Sequence, residues 1–272
     1  MLSQSDFRRL AQFIQGYCGI RLPDSKRTML EGRLRRRLVA LHMSDYRQYC
    51  RYVFDENGLG DEVIHLIDAV TTNKTDFFRE PEHFRFLAEV VVPRLLETKR
   101  TPRLTLWSAA SSIGAEAYTL CMVLEDMIRA GFRFDYTVLA TDISTQVLER
   151  AARGIFSTDM ARQVPSVFRG RYLMQARDPG RPEMRVIPEL RAKVQFMRMN
   201  LLEDAYPLSQ PSDVVFCRNI LIYFDKPTQE KVLDRLCAAM PPGGYLFLGH
   251  SETIAGLALP LEQVATTVFV RV

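Results

Sequence analysis

One stretch of the sequence, residues 104–128, constrains the fold more than any other. An apolar run from Leu104 to Trp107 leads into a turn of small residues, and apolar residues then recur at helical spacing up to Ile128. A strand, a tight turn and a helix in this order form the unit by which α/β proteins bring backbone close to a nucleotide-like ligand. The stretch therefore predicts an α/β fold with a ligand-binding turn between this strand and this helix.

The composition of the turn excludes two common nucleotide sites. Gly114 stands alone where a dinucleotide-binding turn needs three glycines, and no lysine follows as in a phosphate-binding loop. Glu116 comes directly after the turn, and a second apolar run ends at Asp142. An acidic residue there is placed to accept hydrogen bonds from both hydroxyls of a ribose. The pattern predicts a ligand with a ribose and no phosphate, unless Asp142 or Ser144 only caps the next helix.

The first 70 residues show only helical patterns. Apolar stripes at helical spacing begin at Phe7, Leu30 and Val63, and no alternating strand pattern interrupts them. We predict that residues 1–72 form a small helical domain with its own core and that residues 73–272 form a second domain.

The helix that carries the second stripe has charge of one sign. Residues 26–37 contain six basic side chains and one acidic side chain, Glu31. Helical geometry turns Arg35 and Arg36 away from the apolar stripe and toward solvent. This surface is either a docking site for an acidic partner or an ordinary solvated face. Its central basic residues are Arg33, Arg35, Arg36 and Arg37.

Strand and helix patterns continue to alternate after Asp142. Strands are expected at residues 213–217 and 245–249, separated by a helix. The alternation predicts a doubly wound parallel sheet with ligands at the carboxyl ends of its strands. Asp142 and the pair Arg218 and Asn219 should then lie at one edge of the sheet.

Residues 171–199 depart from this alternation. Three short alternating runs occur there, and Pro179-Gly180 between the first two is typical of a hairpin turn. We expect a small antiparallel sheet inserted in the larger fold. Its free edge could accept a strand from a partner, or the sheet could be only a surface addition.

Composition limits the class of protein. Of 272 residues, 47% are hydrophobic and 25% charged, no apolar run approaches the ~18 residues of a membrane span, and the amino terminus lacks signal-peptide features. We expect a cytoplasmic monomer. The five cysteines include no C-x-x-C pair and the four histidines are dispersed, so no disulfide framework and no metal site are predicted. A net charge of +4 favours an acidic partner over nucleic acid.

Six motifs occur in a fixed order along nearly the whole chain. They are residues 71–79 (TTNKTDFFR), 107–116 (WSAASSIGAE), 140–144 (ATDIS), 200–202 (NLL), 216–225 (FCRNILIYFD) and 249–252 (GHSE). Each motif alone is weak, but together they resemble one family, the CheR-type chemotaxis receptor methyltransferases, which use S-adenosylmethionine. The resemblance implies an all-helical amino-terminal domain, a Rossmann-like class I methyltransferase domain and an inserted antiparallel β-subdomain.

The resemblance also implies a reaction and its partners. The methyl group of S-adenosylmethionine would pass to glutamate side chains of chemoreceptors, giving methyl esters that adjust receptor signalling in adaptation, and S-adenosylhomocysteine would be released. The partners would be cytoplasmic helices of chemoreceptors. From the charge pattern of residues 26–37, we hypothesise that these helices dock on Arg33, Arg35, Arg36 and Arg37. A receptor carboxyl-terminal peptide could also bind at the β-subdomain.

Site residues follow from the matched motifs. The resemblance implies cofactor binding by Asn73, Thr75, Arg79, Glu116, Asp142, Asn200, Leu201, Arg218 and Asn219, and it places Arg79 and Tyr223 nearest the transferred methyl group. Asp142 would bind the ribose, and Glu116 the amino-acid end or the adenosine side. The family turn often reads G-E-E-P, whereas this chain has Gly114-Ala115-Glu116-Ala117, and Ile113 replaces a usual Ser or Thr. Because one carboxylate remains, we expect cofactor binding to survive.

The implied reaction agrees with what the sequence lacks. No Ser-His-Asp set and no Cys-His pair is recognisable, and a substrate glutamate of pKa about 4.3 is already ionised at neutral pH, so it needs no general base. Two other functions stay open. A methyltransferase for nucleic acid or a small metabolite is disfavoured because amine methyltransferases commonly carry Asn-Pro-Pro-Tyr where this chain has Cys217-Arg218-Asn219-Ile220. The second open function is that of a non-catalytic scaffold that binds the cofactor.

Overall fold

Helices alone occupy the first part of the chain, and strands begin at Arg103. The computed structural model describes residues 1–178 and 180–272. The helices are α1 (Gln4–Cys18), α2 (Arg27–Ala40), α3 (Tyr46–Asp55), α4 (Leu59–Val70), α5 (Pro81–Phe86), α6 (Val92–Thr98), α7 (Ala115–Arg129), α8 (Thr145–Arg153), α9 (Thr158–Ala161), α10 (Ser166–Tyr172), α11 (Pro188–Ala192) and α12 (Lys226–Ala238). The strands are β1 (Arg103–Ala109), β2 (Asp135–Asp142), β3 (Ile155–Ser157), β4 (Leu173–Gln175), β5 (Glu183–Val186), β6 (Val194–Arg198), β7 (Val214–Cys217), β8 (Tyr245–Leu248), β9 (Leu261–Ala265) and β10 (Val268–Arg271).

Helices α1 to α4 pack around a core of their own. The apolar stripes predicted from Phe7 and Leu30 are buried in it, together with Leu66 and Ile67 of α4. Ser3 starts α1 by accepting a hydrogen bond from the backbone N–H of Asp6, 3.1 Å away. The helical character predicted for this part of the chain is confirmed.

A seven-stranded sheet forms the centre of the remaining chain. Its order is β6-β2-β1-β7-β8-β10-β9, with parallel pairing from β6 to β8 and antiparallel pairing of β10 with both neighbours. Strand β1 lies between β2 and β7, so the chain runs outward from it in both directions. In open α/β sheets this reversal of strand order leaves a crevice at the carboxyl ends of the strands.

The strand register brings three predicted site segments to that crevice. Ala109, the last residue of β1, is paired with Thr141 of β2 and with Cys217 of β7. The turn after β1, Asp142 and Arg218 therefore leave the sheet side by side. The predicted shared edge is confirmed.

Apolar side chains cover both faces of the sheet. One face packs against α5, α6 and α7, and the other against α12. Phe216 and Phe247 stack on the first face with ring centroids 4.3 Å apart, and Phe84 of α5 stacks on Phe216 at 5.7 Å. On the second face Trp107 is fully buried, and its Nε1 donates to Thr141 Oγ1 at 2.9 Å. The doubly wound sheet predicted from the alternation is confirmed.

The small antiparallel sheet differs from its predicted extent. Its order is β3-β5-β4, so it recruits residues 155–157 from before the predicted segment. The run that starts at Val194 instead forms β6, which pairs in parallel with β2 in the large sheet. Including this run in the 171–199 insertion was wrong, because its alternating pattern reflects the half-covered outer strand of the large sheet. Pro179 of the predicted hairpin turn lies outside the described residues.

Candidate active site

A cleft of about 1070 Å³, counted to its open mouth, lies at the carboxyl edge of the large sheet. The residues that line it include Asn73, Thr75, Arg79, Glu116, Asp142, Asn200, Leu201, Arg218, Asn219 and Tyr223. Every residue that the motifs suggested for the cofactor or the methyl group thus reaches the same cleft, although these residues come from five separate segments.

The turn between β1 and α7 forms the floor of the cleft with its backbone. Ala110 and Ser112 have left-handed φ values of 58° and 52°, and Gly114 has φ 85°. A Cβ at Gly114 would lie 3.0 Å from the Cβ of Ala151, so glycine is required both by the backbone and by the close packing of α8. The buried hydroxyl of Ser111 lines the cleft and has no hydrogen-bond partner among the described residues.

Asp142 is held in the cleft by backbone N–H groups. Its Oδ2 accepts from Ser112 N and its Oδ1 from Ser144 N, both at 2.9 Å. Burial raises the pKa of this carboxyl, and the two N–H groups oppose the rise. The cap of α8 is Ser144, whose hydroxyl accepts from Val147 N. Each Asp142 oxygen keeps a second lone pair, so the carboxylate can accept two hydroxyl hydrogen bonds from a ligand.

Glu116 is held quite differently, by a buried arginine. Its Oε1 accepts from Ser108 Oγ at 2.7 Å, and its Oε2 lies 3.3 Å from Nη1 of Arg218. Arg218 also pairs with Glu80, with Nη2 3.1 Å from Oε2, and its guanidinium lies over the rings of Phe84 and Phe216. Burial raises the pKa of Glu116 while Arg218 opposes the rise. The Arg218 guanidinium is therefore already engaged by protein carboxylates, and no pattern in the sequence predicted this pairing.

Glu252 fixes the loop that carries Arg218 and Asn219. Its carboxylate accepts from three backbone N–H groups, those of Gly249 at 2.7 Å, Asn219 at 2.9 Å and Leu221 at 2.7 Å. Asn219 has a left-handed φ of 59°. Since this conformation is costly for a residue other than glycine, the buried carboxylate stabilises it. The sequence motif containing Glu252 was recognisable, but the role of this carboxylate was not.

Two histidines meet beside Glu80. Nδ1 of His83 lies 3.4 Å and Nε2 of His250 lies 3.8 Å from Oε2 of Glu80. These histidines are far apart in the sequence and meet because α5 and the loop after β8 are adjacent in the fold. The same Glu80 oxygen contacts Arg218, whose positive charge opposes a cation here. Burial, followed by the charge of Arg218, lowers the pKa of His83 to about 4.

The loop before α5 closes one side of the cleft. Ser112 Oγ donates to the backbone oxygen of Asn73 at 2.9 Å, which ties the loop to the turn after β1. Phe77 is buried against Phe156, with ring centroids 4.7 Å apart. Arg79 donates to the backbone oxygen of Lys74 at 3.4 Å, a weak contact that leaves its guanidinium available at the cleft. The loop of residues 71–79 is therefore packed against the turn after β1 and against β3.

The helical amino-terminal part also reaches the cleft, which sequence reasoning missed. Cys18, Ile20 and Val70 belong to its lining. Asn200 donates through Nδ2 to the backbone oxygen of Tyr17 at 2.6 Å, and the Arg198 guanidinium donates to the Tyr17 hydroxyl at 2.9 Å. No periodic pattern in α1 distinguishes these contacts from ordinary core packing.

Comparison with known proteins assigns this architecture to a family. Residues 73–270 match the model described as "CheR methyltransferase, SAM binding domain", and residues 5–71 match "CheR methyltransferase, all-alpha domain". The chain belongs to the CheR methyltransferase family. It is 39% identical to a chemotaxis protein methyltransferase of Klebsiella aerogenes over 98% of this chain and 90% of that protein. The corresponding values are 38%, 98% and 91% for the Escherichia coli K12 protein, and 34%, 98% and 93% for chemotaxis protein methyltransferase 2 of Pseudomonas aeruginosa.

The cofactor of a CheR methyltransferase is S-adenosylmethionine, and the cleft has the chemistry to hold it. Asp142 offers two acceptor oxygens suited to ribose hydroxyls, and the turn lacks the glycines and the lysine of a phosphate site. The unpartnered hydroxyl of Ser111 adds a polar group for the ligand. The altered turn Gly114-Ala115-Glu116-Ala117 still forms the first turn of α7 beneath these groups.

The basic surface of this CheR family member is smaller than its sequence suggested. Arg33 donates to the backbone oxygens of Val70 and Thr71, both at 2.9 Å. Arg37 forms a two-point ion pair with the buried Glu62, at 2.7 and 2.8 Å. These two side chains hold α2 against α4, so including them in a docking surface needs correction. Arg35 and Arg36 are exposed as predicted.

None of the described helices has the length and apolar character needed to cross a membrane.

Proposed function

We propose that this protein methylates glutamate side chains of chemoreceptors, using S-adenosylmethionine, and thereby adjusts receptor signalling. The observation that carries the proposal is the pairing, in one cleft of a CheR family member, of a buried ribose acceptor, Asp142, with a guanidinium that lacks a carboxylate partner among the described residues, Arg79. The first suits a nucleoside without phosphate, and the second suits an anionic substrate.

In this proposal, different residues of the cleft contact different parts of the cofactor. Asp142 accepts hydrogen bonds from the two ribose hydroxyls, and Asn73 and Thr75 contact the cofactor from the loop that closes the cleft. Asn200, Leu201 and Asn219 line the adenine side. Glu116 and Arg218 act as a neutralised pair at the amino-acid end, because each is already engaged by the other. This division is supported by the lining of the cleft and by the hydrogen bonds that fix each side chain.

The chemistry needs positioning more than proton transfer. When bound, S-adenosylmethionine supplies an electrophilic methyl group on a sulfonium sulfur. Arg79 binds the attacking carboxylate by charge-assisted hydrogen bonds, and Tyr223 orients it from the loop after β7. A carboxylate of pKa about 4.3 arrives ionised, so no group of the protein has to remove a proton. Alignment of two reactants contributes roughly 7–11 kcal/mol in favourable cases, enough to dominate the rate enhancement.

Arg35 and Arg36 are proposed to guide the receptor. Both lie on the exposed face of α2, and α2 contacts α4, whose last residue, Val70, lines the cleft. Receptor helices that carry clustered glutamates present negative charge to this face. A bare solvated face stays the competing interpretation, and charge reversal distinguishes the two.

The small sheet is a second proposed contact, for a receptor tail peptide. Its outer strands β3 and β4 carry the exposed apolar residues Ile155 and Met174. An outer strand with unpaired backbone groups can accept an extended peptide as a further strand. If the sheet has only a structural role, a receptor tail peptide should show no detectable binding to the protein.

Receptor membranes and labelled cofactor test the proposed function. Purified protein should transfer labelled methyl from S-adenosylmethionine to receptors, forming base-labile esters with equal release of S-adenosylhomocysteine. Binding of the cofactor without turnover would support the scaffold instead. Labelling of nucleic acid or metabolites but not of receptors would identify a different methyltransferase.

A further inference from the structure

The end of α1 packs between two loops of the cleft, one carrying Phe224 and the other Leu202. Gly19 lies where α1 approaches these loops most closely. Gly19 ends α1 with a left-handed φ of 77°. A Cβ built on it would lie 2.8 and 2.9 Å from two ring carbons of Phe224 and 3.2 Å from Cδ1 of Leu202. Phe224 is almost fully buried, so its ring has little freedom to withdraw. Only a residue without a side chain fits here.

The two loops that Gly19 touches carry cleft residues. Phe224 directly follows Tyr223, and Leu202 is two residues after Asn200, whose Oδ1 accepts from Leu202 N at 3.0 Å. Backbone hydrogen bonds join the same segments, since Arg21 N donates to Tyr223 O at 3.4 Å and Asn200 donates to Tyr17 O. A shift of Phe224 or Leu202 would therefore be passed directly to Tyr223 and Asn200.

We propose that Gly19 is a positioning residue of the active site: by permitting this contact, the amino-terminal helical part sets the distance between the Tyr223 loop and the Asn200 loop. The inference rests on the proposed function, because it assigns a role in cofactor binding to that cleft. It extends the site to the end of α1, where the flanking residues Cys18 and Ile20 line the cleft. Gly19 itself acts through Phe224 and Leu202.

Gly19 could also be only a helix-terminating glycine, and two other glycines separate the possibilities. Gly243 has nearly the same φ, 80°, but open space where its Cβ would lie, so Gly243→Ala introduces backbone strain without crowding. Gly16, one turn before Gly19, also has open space, and Gly16→Ala introduces neither. Of these three substitutions, only Gly19→Ala combines backbone strain with a close contact.

Calorimetric binding of S-adenosylhomocysteine and urea unfolding provide the test. Gly19→Ala should weaken binding about tenfold, because the added methyl group displaces Phe224 and Leu202 and with them the cleft residues Tyr223 and Asn200. Gly243→Ala should lower the free energy of unfolding by the strain alone, less than Gly19→Ala does, and should change the dissociation constant less than about twofold. Gly16→Ala should change neither quantity appreciably. The double variant Gly19→Ala with Phe224→Leu, whose shorter side chain can turn away, should recover part of the affinity.

Each outcome has a defined meaning. Equal dissociation constants for Gly19→Ala and Gly243→Ala would overturn the inference and leave the proposed function intact. Failure of the wild-type protein to bind S-adenosylhomocysteine would instead contradict the proposed function. If Gly19→Ala does not fold, Tyr17→Phe removes the hydrogen bond to Arg198 without crowding. It should weaken binding about twofold, and unchanged binding would count against the inference.

Discussion

Asp142 is a buried carboxylate and Glu116 a half-buried one at the same sheet edge, and the protein holds them in opposite ways. Asp142 is fixed by two neutral backbone N–H groups, whereas Glu116 is paired with the cation Arg218. A carboxylate held by N–H groups keeps its remaining lone pairs for a ligand, but one paired with a buried guanidinium is largely neutralised. From this comparison we propose that Asp142 makes the stronger contact with the ligand, and that Arg218 and Glu116 mainly maintain the shape of the cleft at the amino-acid end.

Removal of Arg218 should have the largest effect on stability. Arg218→Ala leaves the half-buried Glu80 and Glu116 without the buried cation they share, and the loss should be about 3 kcal/mol, the low end for breaking a buried ion pair. Urea unfolding measures this loss. Arg79→Ala is the matched control, because its guanidinium makes a weak contact only, and it should cost about 1 kcal/mol or less. Similar losses of unfolding free energy for both variants would contradict the structural role assigned to Arg218.

His83 should make the Arg218 side sensitive to acid. Its pKa is lowered from 6.5 to about 4 in the folded protein, so the unfolded chain binds this proton more readily. The free energy of unfolding is therefore unaffected by His83 above about pH 6.5. As the pH falls from about 6.5 through about 4, protonation of the unfolded chain lowers this free energy by about 3 kcal/mol. We expect His83→Gln to unfold with a weaker pH dependence between these values. The same slope as the wild type would contradict this assignment.

Asp142 should dominate cofactor affinity. Asp142→Ala removes two charge-assisted hydrogen bonds to the ribose, and we expect the dissociation constant of S-adenosylhomocysteine to rise about 100-fold. Tyr223→Phe, which keeps the ring in the cleft, should change it less than about threefold. Calorimetry measures both. Equal effects would mean that the ribose does not bind at Asp142.

Charge reversal on α2 should have a smaller effect, confined to the receptor reaction. Arg35→Glu with Arg36→Glu should slow methylation of intact receptors about tenfold at low salt and make the rate less sensitive to salt. The binding of S-adenosylhomocysteine should not change. Arg47→Glu with Arg133→Glu places the same charge change on exposed residues elsewhere and is the control. Equal slowing by both double variants would favour the solvated-face interpretation.

The smallest predicted effect is that of pH on the rate of methyl transfer. Between about pH 6 and 9 the substrate carboxylate is ionised and no enzyme base is needed, so kcat should be nearly constant. A bell-shaped profile centred near neutrality would indicate a titrating histidine and contradict the proposed mechanism.

Local patterns predicted the fold well because they report local preferences. The stretch around Trp107 and Gly114 predicted the strand, the turn and the helix. The position of Asp142 directly after its strand predicted the edge of the sheet at which the cleft lies. The run at Val194 was misplaced because alternation alone does not identify the sheet a strand joins. Contacts between distant segments were also missed. The Arg218 network and the approach of Gly19 to Phe224 depend on tertiary packing, which no spacing in one sequence encodes.

A crystal structure with S-adenosylhomocysteine tests the central claim most directly. The account predicts that both ribose hydroxyls lie about 2.5–3.0 Å from the carboxylate oxygens of Asp142, with Glu116 still paired to Arg218. Cofactor density elsewhere, or a ribose bound by Glu116 with Asp142 facing away from it, would contradict the account.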